Sequence, residues 1–182
     1  VNLVKGDLGS SIVNRTPVLD SILDRLPNTA LLAILSLGIS IILGICIGVI
    51  AGVYKNRWPD HLSRIASIVG VSMPVFWLGP LSMILFAVKL KWFHITGGTD
   101  FSHLVLPVVT LALGLTAVTM RMMRAGMIDV LNQDYIMVAR SKGLSNFQVI
   151  WKHALRNSLI PVVTVIGYQL GALLTGTVIV EY

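Results

Sequence analysis

The sequence predicts an all-α, polytopic transmembrane helical bundle with four spans in this chain, and three observations carry that reading. Hydrophobic residues fill 55% of the 182 positions and charged residues only 12%, with a mean hydropathy of +0.83. A soluble domain carries about 25% charged side chains, so roughly half of the usual solvating charge is missing. The few charges are also segregated. Leu26–Tyr54, Ile65–Val88, Phe101–Met120 and Asn157–Val180 contain no Asp, Glu, Lys or Arg. Twenty or more helical residues at about 1.5 Å each reach about 30 Å, the thickness of a bilayer's hydrocarbon core. Finally, Lys and Arg divide nine against five between the two sides of these spans. Lys55, Arg57 and Arg64 lie between the first and second spans; Arg121, Arg124, Arg140, Lys142, Lys152 and Arg156 lie between the third and fourth. The opposite side holds Lys5, Arg15, Arg25, Lys89 and Lys91. The positive-inside rule then places the two basic loops in the cytoplasm.

These observations exclude several classes. The net charge of +6 does not indicate nucleic-acid binding, because the basic residues sit in short segments beside the spans. No short basic region precedes a brief apolar run, so a secretory signal is not predicted. Cys46, the single cysteine, lies mid-span and reads as a small apolar packing residue with no internal disulfide to make. The polar start at Val1 and the stop at Tyr182 directly after the last span predict one membrane domain over 1–182 that is a piece of a longer protein.

The elements follow in order. Thr16-Pro17 reads as a helix cap with proline at the first helical position. Over 16–26, Val18, Leu19, Ile22, Leu23 and Leu26 share one helical face, and Asp20, Ser21, Asp24 and Arg25 the other. Such a segment lies on the outer membrane surface or forms a lid on a partner. The first span, about 28–54, repeats Gly44, Gly48 and Gly52 at four-residue spacing, which lets another helix approach closely. The second, 65–88, contains Pro74 and Pro80 and should kink or break over Met73–Pro80, as a structural bend or as a gate. The loop Lys89–Asp100 turns at Gly97-Gly98; His94 and His103 flank it without the Cys or carboxylate partners of a metal site. The third span covers 101–120. In the fourth, 157–180, Thr164, Tyr168, Gly171 and Thr175 line one stripe with Gln169 beside it, bordering an aqueous path or bonding to neighbouring helices.

The loop 121–156 is longer than a connector requires. Asn132 can cap a helix over Asp134–Ser141, with Asp134 in its first turn and Arg140 and Lys142 at its end, as the helix dipole favours. Gly143 suits the left-handed residue that ends a helix, and Ser145-Asn146-Phe147-Gln148 is a capping box that starts a second one through Val149–Arg156. No Asp, Glu, Lys or Arg lies inside a span to bind a coupling ion, and His103 at the rim of the third is a poor substitute, although unwound backbone can hold sodium. There is no GxxxxGK[ST] phosphate loop, no Ser/His/Asp set and no His/Glu metal motif, so neither catalytic nor metal-ligating nor cofactor-binding residues are predicted here.

The stretch Asp134-Tyr135-Ile136-Met137-Val138-Ala139-Arg140-Ser141-Lys142-Gly143-Leu144, followed by His153-Ala154-Leu155-Arg156-Asn157-Ser158-Leu159-Ile160-Pro161, resembles the "EAA" loop of ABC-importer permeases of the dipeptide/oligopeptide/nickel branch. Gly6-Asp7-Leu8-Gly9-Ser10, Arg25-Leu26-Pro27-Asn28-Thr29 and Gly167-Tyr168-Gln169-Leu170-Gly171 extend the resemblance along the chain. The general motif's Glu, Ala, Ala stand here as Met137, Val138 and Ala139, and its later Ile and Pro as His153 and Arg156. The resemblance implies the second to fifth of six permease helices in a bacterial or archaeal inner membrane. It implies a coupling helix before Gly143 that docks on a separate ATPase, with Asp134, Ala139 and Gly143 as contacts and Arg140 and Lys142 as flanking charges. It further implies a second permease subunit, two ATP-binding subunits carrying ATP and Mg, and an extracytoplasmic solute-binding protein. The solute would be a peptide or a related small solute such as nickel or a nickel chelate, with Pro74, Pro80, Thr164, Tyr168 and Thr175 as candidate path or gate residues. The alternatives are an ion-coupled carrier or channel and a non-transporting membrane scaffold.

Overall fold

The computed structural model describes residues 9–10, 15–93 and 102–176. His94, Gly97 and Gly98 lie outside them, as do the side chains of His103 and Thr175. The chain forms α1 (Val18–Val53), α2 (Trp58–Ser72), α3 (Val75–Ser82, prolonged as π-helical turns over Met83–Lys89), α4 (Ser102–Leu131), α5 (Asp134–Ser141), α6 (Asn146–Gln148, continued as π-helical turns over Val149–Ala154) and α7 (Leu155–Gly176). Among the described residues every regular element is helical. Val18–Val53, Leu104–Leu131 and Asn146–Leu174 are each long and apolar enough to cross a membrane. A fourth candidate span is broken: Trp58–Ser72 and Trp77–Lys89 meet at 106°.

Three features differ from the sequence reading. The segment 16–26 and the first span are one helix of 36 residues, about 54 Å long, running through Pro27. A proline removes one donor, and a helix with strong ladders on both sides tolerates the loss. The helix begins at Val18, with Pro17 in the boundary position and no side-chain cap from Thr16, whose hydroxyl meets Ser21 Oγ at 3.2 Å instead. The Val18 N–H donates to the Gly9 carbonyl at 3.0 Å. Third, α4 continues through Arg121 and Arg124 to Leu131, well past the charge-free stretch. An absence of charge measures the apolar thickness; the helical ladder itself has no reason to stop at the first arginine.

The second span does break where its prolines predicted. α2 ends at Ser72, Met73 and Pro74 have extended backbone, and α3 starts at Val75. Pro80 lies inside α3 and does not end it. Pro74 is therefore the breaking residue of the pair. The break borders a groove of about 710 Å³ walled by Leu43, Ile47, Leu62, Met73, Leu78 and Met120, among others.

The glycine repeat of α1 faces α4. A Cβ built at Gly44, Gly48 or Gly52 would lie 2.7, 2.6 or 2.5 Å from the Cβ atoms of Thr119, Met123 and Met127 respectively. The partner numbers rise with the glycine numbers, so the two helices run parallel, one turn of each in step with the other. Around this seam sit two buried clusters. Ala33, Leu37, Leu111 and Leu173 close one end of the α1–α4–α7 bundle. Val49, Met123, Met127, Ile136, Ala139, Val149, Ala154 and Val162 fill the other, the Lys/Arg-rich end. Between them Ser40 Oγ lies 3.3 Å from Thr119 Oγ1, which donates to Gln169 Oε1 at 3.3 Å; Gln169 Nε2 donates to the Leu115 carbonyl at 3.1 Å.

Gly48→Ala should destabilise the fold by about 1–3 kcal/mol, because the new methyl meets the Met120 carbonyl and the rigid start of the Met123 side chain. Gly38→Ala, whose added carbon meets nothing within 4 Å, should be neutral or slightly stabilising. Thermal unfolding of the two purified variants in detergent checks the contrast, and equal midpoints would reject the close seam.

Candidate functional site

The hairpin 134–156 is the part of the chain built to project. α5 occupies the predicted residues, although Gln133 rather than Asn132 holds the boundary position, without a side-chain bond. Its end is closed by two bonds: the Gly143 N–H donates to the Arg140 carbonyl at 2.9 Å and the Leu144 N–H to the Ala139 carbonyl at 3.4 Å. That pairing is a Schellman motif, and it requires the left-handed φ of +80° found at Gly143. The predicted capping box is complete. Gln148 N–H donates to Ser145 Oγ at 3.3 Å, and Ser145 N–H donates to Gln148 Oε1 at 3.1 Å. From there the backbone passes without interruption through the π-helical turns into α7.

Two faces of the hairpin differ in kind. Ile136, Ala139, Val149 and Ala154 are buried in one cluster with Met123 and Met127 of α4, and Leu144 packs against it. Asn157 Nδ2 adds a 2.7 Å bond to the Tyr135 hydroxyl, tying α5 to α7. On the outer face Met137, Val138 and Phe147 are 68%, 53% and 69% exposed, next to Trp151 and the exposed charges Asp134, Arg140 and Lys142. Large apolar side chains left uncovered on a polar-flanked hairpin are the residues a partner would cover.

A second feature lies beside the hairpin's base. Asp60, in the first turn of α2, is fully buried, and both carboxylate oxygens are engaged. Arg124 of α4 bonds Oδ1 through Nε and Oδ2 through Nη2, the latter at 3.0 Å. Arg64 Nη2 donates to Oδ2 at 3.2 Å, and the Asn56 N–H donates to it at 2.8 Å. The fork-to-fork geometry is the strongest form of charge-assisted hydrogen bond between side chains.

The stripe on α7 is divided by the packing. Gln169 turns inward to Thr119, as above, whereas Thr164, Tyr168 and Gly171 are exposed; the Thr164 hydroxyl donates back to the Ile160 carbonyl at 3.5 Å.

Residues 44–182 match the family described as binding-protein-dependent transport system inner membrane component. The chain belongs to this family. Over 180 residues it is 46% identical to the glutathione transport system permease protein GsiC of Escherichia coli O6:H1, and 45% identical to the proteins of that name from Escherichia coli K12 and Shigella dysenteriae serotype 1. Each alignment takes in 99% of this chain and 59% of the relative, so the chain spans well under two thirds of their length. It is an ABC-type permease sequence of the dipeptide/oligopeptide branch.

Within that family frame, the structure redistributes the residues expected to contact a partner. Asp134, Arg140, Lys142 and Gly143 are exposed on the hairpin. Ala139 is buried in the cluster that includes Met123 and Met127, since Ile136 and Ala139 at i, i+3 form the inward stripe of α5. Met137 and Val138 take the outward positions in its place. Of the candidate path residues, Pro74 stands at the helix break and Pro80 within α3, and the side chain of Thr175 lies outside the described residues. Asp60 was missed altogether. The available signal was a carboxylate directly after Trp58-Pro59 in a chain with only 8 acidic residues, close to arginines otherwise explained by the positive-inside rule.

Gly143→Val should destabilise the hairpin turn by about 1–2 kcal/mol, since a β-branched residue resists the left-handed conformation. Space is not the issue, as a Cβ there meets nothing within 4 Å. Hydrogen exchange should speed up in 134–148 and stay unchanged in the α1–α4 seam; uniform acceleration would contradict a local effect.

Proposed function

We propose that this chain is part of a permease subunit of an ATP-driven importer in a bacterial or archaeal inner membrane. It forms half of the path for a small peptide-like solute and receives its drive through the 134–156 hairpin. The observation that carries the proposal is the two-faced hairpin itself: an inner face packed into the membrane bundle, an outer face with Met137, Val138 and Phe147 uncovered. A rigid element shaped this way converts a push on its tip into displacement of α4 and α7.

The partners follow from the family. A second permease subunit would complete the path, and two ATP-binding subunits would hold ATP and Mg. An extracytoplasmic binding protein would deliver the solute. The hairpin's outer face, with Asp134, Arg140 and Lys142 around its apolar patch, suits the ATP-binding subunit. The relatives' glutathione, a small peptide, favours a peptide-like cargo over nickel. The exposed stripe of Thr164, Tyr168 and Gly171 on α7, with the Pro74 break, supplies uncharged polar groups and a bend for the path.

The test replaces Cys46 with Ser in the full-length protein and introduces a single cysteine by Met137→Cys. A disulfide or bifunctional crosslink to the ATP-binding subunit should form and change in yield when ATP is added. Ala139→Cys should crosslink far less, since the structure buries that position. No crosslink from position 137, with the ATP-binding subunit present and folded, would overturn the coupling role.

A further inference from the structure

We infer that Asp60 and Arg124 are positioning residues that carry hairpin motion into the broken helix α2–α3. This rests on the permease reading above and deepens it by naming the link between the coupling hairpin and the bend at Pro74.

The argument begins with how α2 is held. Its buried residues are Asp60, Ser63 and Ser67, all polar, while Leu62, Ile65, Ile68 and Val69 are exposed. Ser63 and Ser67 spend their hydroxyls on carbonyls of their own helix, Asp60 O and Arg64 O, each at 2.9 Å. Along its length α2 meets α4 at Gly70, where an added Cβ would lie 2.8 Å from Ala117 Cβ. No apolar side chain of α2 anchors it in a core. The directional hold is the bidentate Asp60–Arg124 pair near its first turn.

Arg124 is placed to feel the hairpin. It lies between Met123 and Met127, the two fully buried α4 residues that share one buried cluster with Ile136, Ala139 and Val149 of the hairpin. Apolar contacts allow sliding, but a guanidinium forked onto a carboxylate fixes both distance and orientation. Burying such a pair is at best weakly stabilising, because desolvation offsets the attraction. A positional task accounts for its presence better than stability does. Movement of the hairpin, carried through the cluster it shares with α4, would displace Arg124, Arg124 would draw Asp60 and the start of α2, and α2 would hinge at Met73–Pro74.

Arg124→Lys is the informative variant, since it keeps the charge that Asp60 needs but replaces the two-point fork with a single ammonium contact. Asp60→Asn is the companion, and Arg124→Lys decides alone if that protein does not assemble. Both are made in the full-length permease with its ATP-binding subunits and Cys46→Ser. The first reporter is Met137→Cys crosslinking to the ATP-binding subunit. The second is thiol labelling of Met73→Cys at the break, with and without trapping by a non-hydrolysable ATP analogue. In the parent protein both reporters should respond to the analogue. With Arg124→Lys the crosslink should still respond, while the labelling change at position 73 falls by about fivefold or more, the scale of a coupling energy between sites. Uptake of labelled glutathione per ATP hydrolysed should fall with it. A response at position 73 equal to the parent's would overturn the inference, as would a parent whose crosslink responds while position 73 does not. A parent that forms no crosslink at all would instead overturn the permease reading on which the inference stands.

Discussion

With Gly44, Gly48 and Gly52 stacked against Thr119, Met123 and Met127, the backbones of α1 and α4 run side by side at a separation that leaves no room for a Cβ. Lipid tails are as apolar as leucine, so hydrophobicity cannot hold two helices together in a membrane; van der Waals contact over a close seam can. The seam also decides what the methionines do. Met123 and Met127 are fully buried, lying against the α1 glycines and sharing one cluster with Ile136, Ala139 and Val149 of the hairpin. Methionine's flexible, unbranched chain suits a residue that must satisfy two surfaces of different shape. Widening the seam would therefore disturb the platform on which the hairpin sits, about one helix radius away.

Register between the helices is fixed by a different means. Ser40, Thr119 and Gln169 link α1, α4 and α7 in one buried hydrogen-bonded chain that ends on the Leu115 carbonyl. Each such bond in a membrane contributes only about 0.6–2 kcal/mol. Their effect is on placement, because sliding any of the three helices by one turn would leave a polar group stranded among Leu37, Leu111 and Leu173. Apolar packing supplies the cohesion, and the polar chain selects one alignment from several of similar area.

How legible these features were in the sequence follows from the range of the forces involved. The Gly143 turn, the Ser145–Gln148 box and the break at Pro74 were readable because each depends on the backbone chemistry of a few consecutive residues. The glycine repeat announced a close contact but not its partner, since any helix with small or flexible side chains could fill it. The burial of Ala139 was not readable for a similar reason. Whether position 139 or position 137 of an eight-residue helix faces outward is settled by which side meets Met123 and Met127, and those are remote in sequence. Helix length was hidden too, as the charge-free stretch reports the apolar layer and α4 runs on past it. Asp60 was the least legible of all. Its importance lies in the pairing with Arg124, 64 residues away, and nothing local distinguishes it from a solvated carboxylate.

The hairpin's connections determine where a displacement can be absorbed. On one side only residues 132–133 separate α5 from α4, and on the other the π-helical turns Val149–Ala154 pass directly into α7, with Val149 and Ala154 buried at the joint. α4 and α7 are in turn locked to α1 by glycine contacts and by the Gln169 chain, so these three helices move together or not at all. α2 packs on α4 as well, closely at Gly70, but its buried side chains are polar, its apolar flanks are exposed and its far end is broken. At Pro74 the missing N–H means that bending there sacrifices no donor, whereas bending α1 or α4 would open intact ladders. The broken element is thus the one whose buried anchors are polar and charged, whereas the other three share apolar clusters. In the mechanism inferred above, that division would let the three-helix body turn while the broken helix follows through the Asp60–Arg124 pair.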